Sequence, residues 1–218
     1  MNEVLFFDAH THDSSVQEGA IRVLSVHAGH SSSAGAGKGY FTCGLHPWYL
    51  EEVDESHWQH LLNMAAHPRC LGIGECGLDG LHENLKRQEY WFKRQIELAD
   101  QLNKPLVLHV VRRDEQARTL LKAARYQGRI NVHGFRGGMA KAQPWLEMGA
   151  WLGISPAALK KPNPLFFQNI DPKRILAESD DSHQALPIIF ADMAACLNMS
   201  LEDWKRQAFE NAKLFYNV

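Results

Sequence analysis

His10 and His12 stand two residues apart in Asp-Ala-His-Thr-His, residues 8–12, directly after an apolar run. In an extended chain that spacing turns both imidazoles to one face, where they can share a metal ion. A hydrogen-bonded histidine pair at a strand end explains the same spacing. Glu75 follows Gly-Ile-Gly, His109 closes Pro-Leu-Val-Leu-His, His133 closes Ile-Asn-Val-His, and Glu178 and Asp180 sit in Leu-Ala-Glu-Ser-Asp. A carboxylate placed like Glu75 is costly to bury unless it is paired or bound to a cation, so a salt bridge competes with a ligand role. His109 and His133 can each be satisfied core histidines. Jointly these residues describe a donor set of His and carboxylate without Cys, which suits Zn, Mn, Mg, Fe or Co. Having more donors than four points to two ions.

The elements that would position these groups are short apolar runs: 4–9, 21–26, 40–45, 70–74, 106–109, 130–133, 150–154 and 174–177. Runs that are nearly continuous, without strict alternation, suit strands covered on both faces of a parallel sheet. Segments of helical period separate most of them, at 55–66, 86–102, 114–126 and 139–148. Alternation of eight strands with helices predicts a (β/α)8 TIM-type barrel, with the candidate donors at the C-terminal strand ends where such barrels carry their sites. Between the first two strands only residues 13–22 remain, Gly19 among them. The first crossover helix is therefore expected to be shortened or missing. The stretch Gly-His-Ser-Ser-Ser-Ala-Gly-Ala-Gly-Lys-Gly, 29–39, reads as a glycine-rich loop.

A length of 218 residues and 45% hydrophobic content fit one folded domain over 1–218. The net charge of -2 offers no broad basic footprint and argues against tight non-specific binding of long duplex nucleic acid. Cys43, Cys70, Cys76 and Cys196 lack zinc-ribbon spacing and read as free thiols in a reducing compartment. No stretch approaches the roughly 18 apolar residues of a membrane span, and the first residues lack the pattern of a secretory signal. A cytoplasmic monomer without membrane contact is the expectation.

In order along nearly the whole chain, these motifs resemble the TatD-like metal-dependent deoxyribonucleases of the amidohydrolase superfamily. The resemblance runs through D-A-H-T-H (8–12), C-G-L-H-P (43–47), G-I-G-E-C-G-L-D (72–79) and the helix with Gln88 and Phe92. It continues through K-P-L-V-L-H (104–109), V-H-G-F-R-G (132–137), L-A-E-S-D (176–180) and E-N-A-K-L-F (210–215). It implies two divalent ions (Zn, Mg or Mn), one held by His10, His12 and Asp180, the other by His109 and His133, with Glu75 bridging. His46 then lies near the substrate phosphate; capping of the loop before Pro47 is the alternative. The chain departs from the family in three places. The first helix and the first and last loops are cut down, Val111 takes the place of the arginine in His-x-Arg so that Arg112 or Arg113 must substitute, and the threonine and proline usual around the last aspartate are replaced in Glu-Ser-Asp-Asp-Ser-His, 178–183.

The implied reaction is phosphodiester hydrolysis by a metal-activated water, with Asp180 as general base and Glu75 holding the ions apart. DNA ends or short single strands, cut exonucleolytically or trimmed at the 3′ end, are the implied substrate. Arg112, Arg113, Arg136 and Lys141 can contact phosphate or remain solvated. Trp48 and Tyr49 can stack on a base or pack against the barrel rim. Two rivals stand beside this reading: an enzyme of the same superfamily cleaving a small amide, ester or lactone, and a non-catalytic metal-binding subunit.

Overall fold

The computed structural model describes residues 5–29 and 39–218. Most of the glycine-rich stretch, 30–38, lies outside them, as does Val4 of the first apolar run. The described residues form β1 (Phe6–Thr11), β2 (Ala20–His27), β3 (Tyr40–Gly44), α1 (Glu55–Ala65), β4 (Cys70–Asp79), α2 (Leu85–Gln101), β5 (Leu106–Val111), α3 (Asp114–Ala123), β6 (Ile130–Val132), α4 (Met139–Leu146), β7 (Trp151–Ile154), α5 (Pro156–Leu159), α6 (Pro164–Asn169), β8 (Ile175–Ala177), α7 (Leu186–Cys196) and α8 (Leu201–Tyr216). All eight apolar runs are strands, and one sheet takes them in chain order from β1 to β8. This is the strand order of the expected (β/α)8 TIM-type barrel. No helix occupies 12–19.

Two compact units divide the chain, one of residues 1–23 with 131–218 and one of 24–130. In the first, the opening and closing strands lie side by side. Thr11 bridges Asp180 in parallel, the His12 N–H donates to the Asp180 carbonyl at 3.2 Å, and the Asp180 N–H donates to the His10 carbonyl at 3.0 Å. β7 pairs in parallel with β6 on one side and β8 on the other. α8 secures this edge through two buried side chains. Asn211 Nδ2 donates to the carbonyls of Ile175 and Pro172 at 2.8 and 2.7 Å, and the Tyr216 hydroxyl donates to the Ala9 carbonyl at 2.7 Å. α7, apolar on nearly every side in Leu-Pro-Ile-Ile-Phe-Ala-Asp-Met-Ala-Ala-Cys, carries no amphipathic period from which sequence reasoning could place it.

In the second unit β3, β4 and β5 pair in parallel, with α2 packed on β4. α2 buries Gln88, Trp91, Phe92, Gln95, Ile96, Leu98 and Ala99 as one stripe. Two members of that stripe are glutamines seven residues apart, hence on one face. Gln95 accepts from the Leu45 N–H at 2.7 Å and donates to the Leu45 carbonyl at 3.2 Å; Gln88 does the same for Asp79, at 2.8 and 3.1 Å. Each replaces backbone partners that the ends of β3 and β4 no longer have, so the residues just beyond are held in place.

Candidate metal-binding sites

In the first unit His10 and His12, alternate residues at the end of β1, approach through their Nε2 atoms at 3.3 Å. The rings of His10 and His133 lie 4.0 Å apart. Asp180 Oδ1 stands 3.8 Å from His12 Nε2 and 3.7 Å from His133 Nε2. His10, His12 and Asp180 each offer one donor atom, all within 4.8 Å of one another. Asp180 reaches this position with φ at 58°, a left-handed conformation that Asp tolerates better than most residues. Its backbone bonds to β1 hold it there.

Behind these donors, Glu178 is buried among N–H groups. Oε2 receives Gly134 N–H at 3.0 Å and lies 3.1 Å from His133 Nδ1, while Oε1 receives the Asn131 amide at 2.7 Å. Burial works to raise this carboxyl, but His133, His10 and the Gly134 N–H outweigh it and hold it below the ordinary glutamate value. Gly153 makes the room, since a Cβ there would run into Glu178 Oε1. Asp8 is the other buried acid among the described residues of this unit. It accepts from Ser179 N–H and Oγ at 2.8 and 2.6 Å and from Arg22 Nε at 3.1 Å, yet burial dominates and carries its carboxyl above the usual range. Ser179 thus ties β8 to β1.

In the second unit Glu75 lies inside β4 and not beyond its end. The register against β5 shifts between Ile73 and Cys76, and such an irregularity re-aims a side chain. Gly74 permits it with φ at 146°, where a Cβ would meet the Val107 carbonyl. Glu75 Oε1 accepts from Ser25 Oγ at 3.0 Å, and Oε2 stands 3.6 Å from His46 Nε2 and 3.8 Å from His109 Nδ1. These three residues form a second group with donor atoms within 4.8 Å of one another. His46 therefore shares a cluster with Glu75 and His109, and its Nδ1 also accepts Trp48 N–H at 3.2 Å at the start of a 3-10 turn, Pro47–Glu52. Both a ligand role and the capping role are open to it.

Asp79, four residues beyond Glu75, was legible only as a letter of the motif. It is 1% exposed and gathers Trp48 Nε1 at 2.6 Å and His109 Nε2 at 2.9 Å on Oδ2, with the Leu81 N–H at 2.8 Å on Oδ1. Burial alone would raise its carboxyl; the bonds from Trp48, His109 and Leu81 outweigh that and lower it. Trp48 stays 47% exposed, its ring stacked on His82 at 5.2 Å, while Tyr49 packs edge-on to His27. Arg112 is exposed with a left-handed φ of 55°, whereas Arg113 is turned inward against Gly80. Arg136 is exposed, and Lys141 reaches back to the Arg136 carbonyl at 3.4 Å and over the Phe135 ring at 5.4 Å.

Histidine and carboxylate donors converging in each unit fit a divalent ion and not a structural thiolate site. Among the described residues no helix is long and apolar enough to cross a membrane. The family profile described as "TatD related DNase" matches residues 25–217. A "3'-5' ssDNA/RNA exonuclease TatD" of Pantoea vagans is 32% identical over 136 residues, 60% of this chain and 52% of the relative, so the chain spans about half the length of that curated relative. An uncharacterized metal-dependent hydrolase of Methanocaldococcus jannaschii is 26% identical over 191 residues, covering 81% of this chain and 75% of the relative. Among solved structures, YJJV, a TatD homologue from Escherichia coli K12, superposes with a TM-score of 0.85 at 20% identity, covering 98% of both chains, a likeness that shows the fold.

Proposed function

The chain belongs to the TatD-related DNase family, and on that premise we propose that it is a metal-dependent hydrolase trimming single-stranded DNA or RNA from the 3′ end. The observation that carries the reading is the convergence of histidine and carboxylate donors in each unit: His10, His12 and Asp180 in one, His46, Glu75 and His109 in the other. We assign one divalent ion, Zn, Mn or Mg, to each group, with His133 joining Asp180. When bound, such ions supply Lewis acidity toward a phosphodiester oxygen and bring the pKa of water toward neutrality.

The remaining work falls to the chain itself. Asp180, held on a strained backbone and partly open to solvent, is placed to accept the proton of an attacking water. Trp48 presents nearly half its surface and its indole N–H is anchored, which makes it a stacking platform for a base. Arg112 is the better candidate for a phosphate contact, because Arg113 is turned inward. A cytoplasmic location and a monomeric state belong to the same reading.

The test is a time course on 5′-labelled single-stranded DNA and RNA with Mn(II), Zn(II) or Mg(II), beside a panel of lactones and amides. Shortening from the 3′ end that stops on adding a chelator is expected. No metal-dependent nucleotide release from either polymer would reject the nuclease reading.

A further inference from the structure

We infer that Asp79 is a positioning residue that fixes the proton of His109 on Nε2, leaving Nδ1 as the electron-pair donor on the Glu75 side, and that it anchors Trp48 through the same oxygen. The inference rests on the proposed metal site, but its logic is one of hydrogen-bond donors and acceptors. The Leu81 backbone N–H and the Trp48 indole N–H can only donate. They occupy Oδ1 and Oδ2 of Asp79 at 2.8 and 2.6 Å, so both oxygens act as acceptors. His109 Nε2, 2.9 Å from Oδ2, must then be the donor. A neutral imidazole with its proton on Nε2 has its lone pair on Nδ1, and that atom lies 3.8 Å from Glu75 Oε2, in the group with His46.

Several features make the arrangement rigid. Asp79 is buried, and its backbone is held at both N–H and carbonyl by Gln88. Its side chain therefore has little freedom to follow a rotated imidazole. A ring nitrogen held by an outer carboxylate is the usual way a ligating histidine is oriented and made more basic. Here the same oxygen also fixes the exposed indole, so the ligand and the stacking platform share one anchor.

Asp79→Asn tests this, because an amide cannot satisfy all three donors. With its NH2 toward Trp48 and His109, it opposes the indole N–H and donates to Nε2, driving the His109 proton to Nδ1. With its NH2 toward Leu81, it opposes the backbone N–H. The measurement is long-range 15N–1H correlation on the metal-free full chain, with His109 signals identified by their loss in His109→Gln, followed by titration with Co(II). Wild type is expected to show the Nε2–H form; the Nδ1–H form in wild type overturns the inference without any variant. Asp79→Asn is expected to gain the Nδ1–H form and to bind Co(II) about 10–100-fold more weakly. A folded Asp79→Asn with wild-type tautomer and wild-type affinity also overturns it. Should that variant fail to fold, Trp48→Phe serves: it leaves Oδ2 to His109 and is expected to keep the Nε2–H form, and a switch to Nδ1–H refutes the assignment. None of these readouts uses a nucleic acid. Wild-type tautomer and Co(II) binding without nuclease activity would therefore count against the proposed function alone.

Discussion

Glu178 holds the Nδ1 side of His133 in the first unit, whereas Asp79 holds the Nε2 side of His109 in the second. Both acids are buried and both collect N–H donors that cannot accept: Gly134 and Asn131 around Glu178, Leu81 and Trp48 around Asp79. On the proposed reading, the nitrogen left for a metal ion is Nε2 of His133, toward Asp180, and Nδ1 of His109, toward Glu75. The two imidazoles would then hold opposite tautomers, selected by which side of each ring the buried carboxylate reaches. The strand ends are also secured differently. Asn211 and Tyr216 of α8 grip carbonyls of β8 and β1, while Gln95 and Gln88 of α2 each grip both the N–H and the carbonyl of one residue, Leu45 after β3 and Asp79 at the end of β4.

Substitution of the inner carboxylates bears hardest on this comparison. Asp180→Ala and Glu75→Ala are each expected to lower metal-dependent nucleotide release by more than about 100-fold, since loss even of an outer partner typically costs about 10–100-fold. Full activity in one of them, measured on labelled single strands, would mean that its unit is not a metal site. Glu178→Gln should weaken Co(II) binding by about 10–100-fold and shift His133 toward the Nε2–H form, the reverse of the change expected at His109. Calorimetric titration and 15N spectra together would show whether the two acids are equivalent.

Gln95→Leu comes next. It leaves the buried Leu45 N–H and carbonyl without these partners, at a cost of about 1–3 kcal/mol in unfolding free energy, and it loosens His46. Chemical denaturation checks the first effect; an unchanged midpoint would show that water replaces the glutamine. Trp48→Ala is expected to have the smallest effect, about 1 kcal/mol in apparent affinity for single-stranded DNA, near the low end for a stacked base because His82 already covers part of the ring. Fluorescence anisotropy with a short oligonucleotide would read it, and undiminished affinity would return Trp48 to a packing role.

The positions of His10, His12, His133, Glu75, His109 and Asp180 on or just after strands were readable because apolar runs precede them and each run became a strand. The absence of a helix at 12–19 was equally readable, since too few residues intervene. The grouping of His46 with Glu75 and His109 was not readable, because it depends on β4 losing its register at Gly74. Nor was Asp79. Its letter is visible in Gly-Leu-Asp, but its function comes from Trp48, 31 residues earlier, and His109, 30 residues later, meeting on one oxygen.

By itself, then, the order of apolar runs and polar strand ends determined the barrel class and the chemical types of the donors, because strand formation and burial are local in period and composition. Tertiary structure alone decided which donors share a group, which ring nitrogen of His109 and of His133 meets a buried carboxylate, and which arginine faces solvent. Those outcomes depend on long-range hydrogen bonds and on backbone irregularities of a single residue, and neither leaves a periodic trace in the chain.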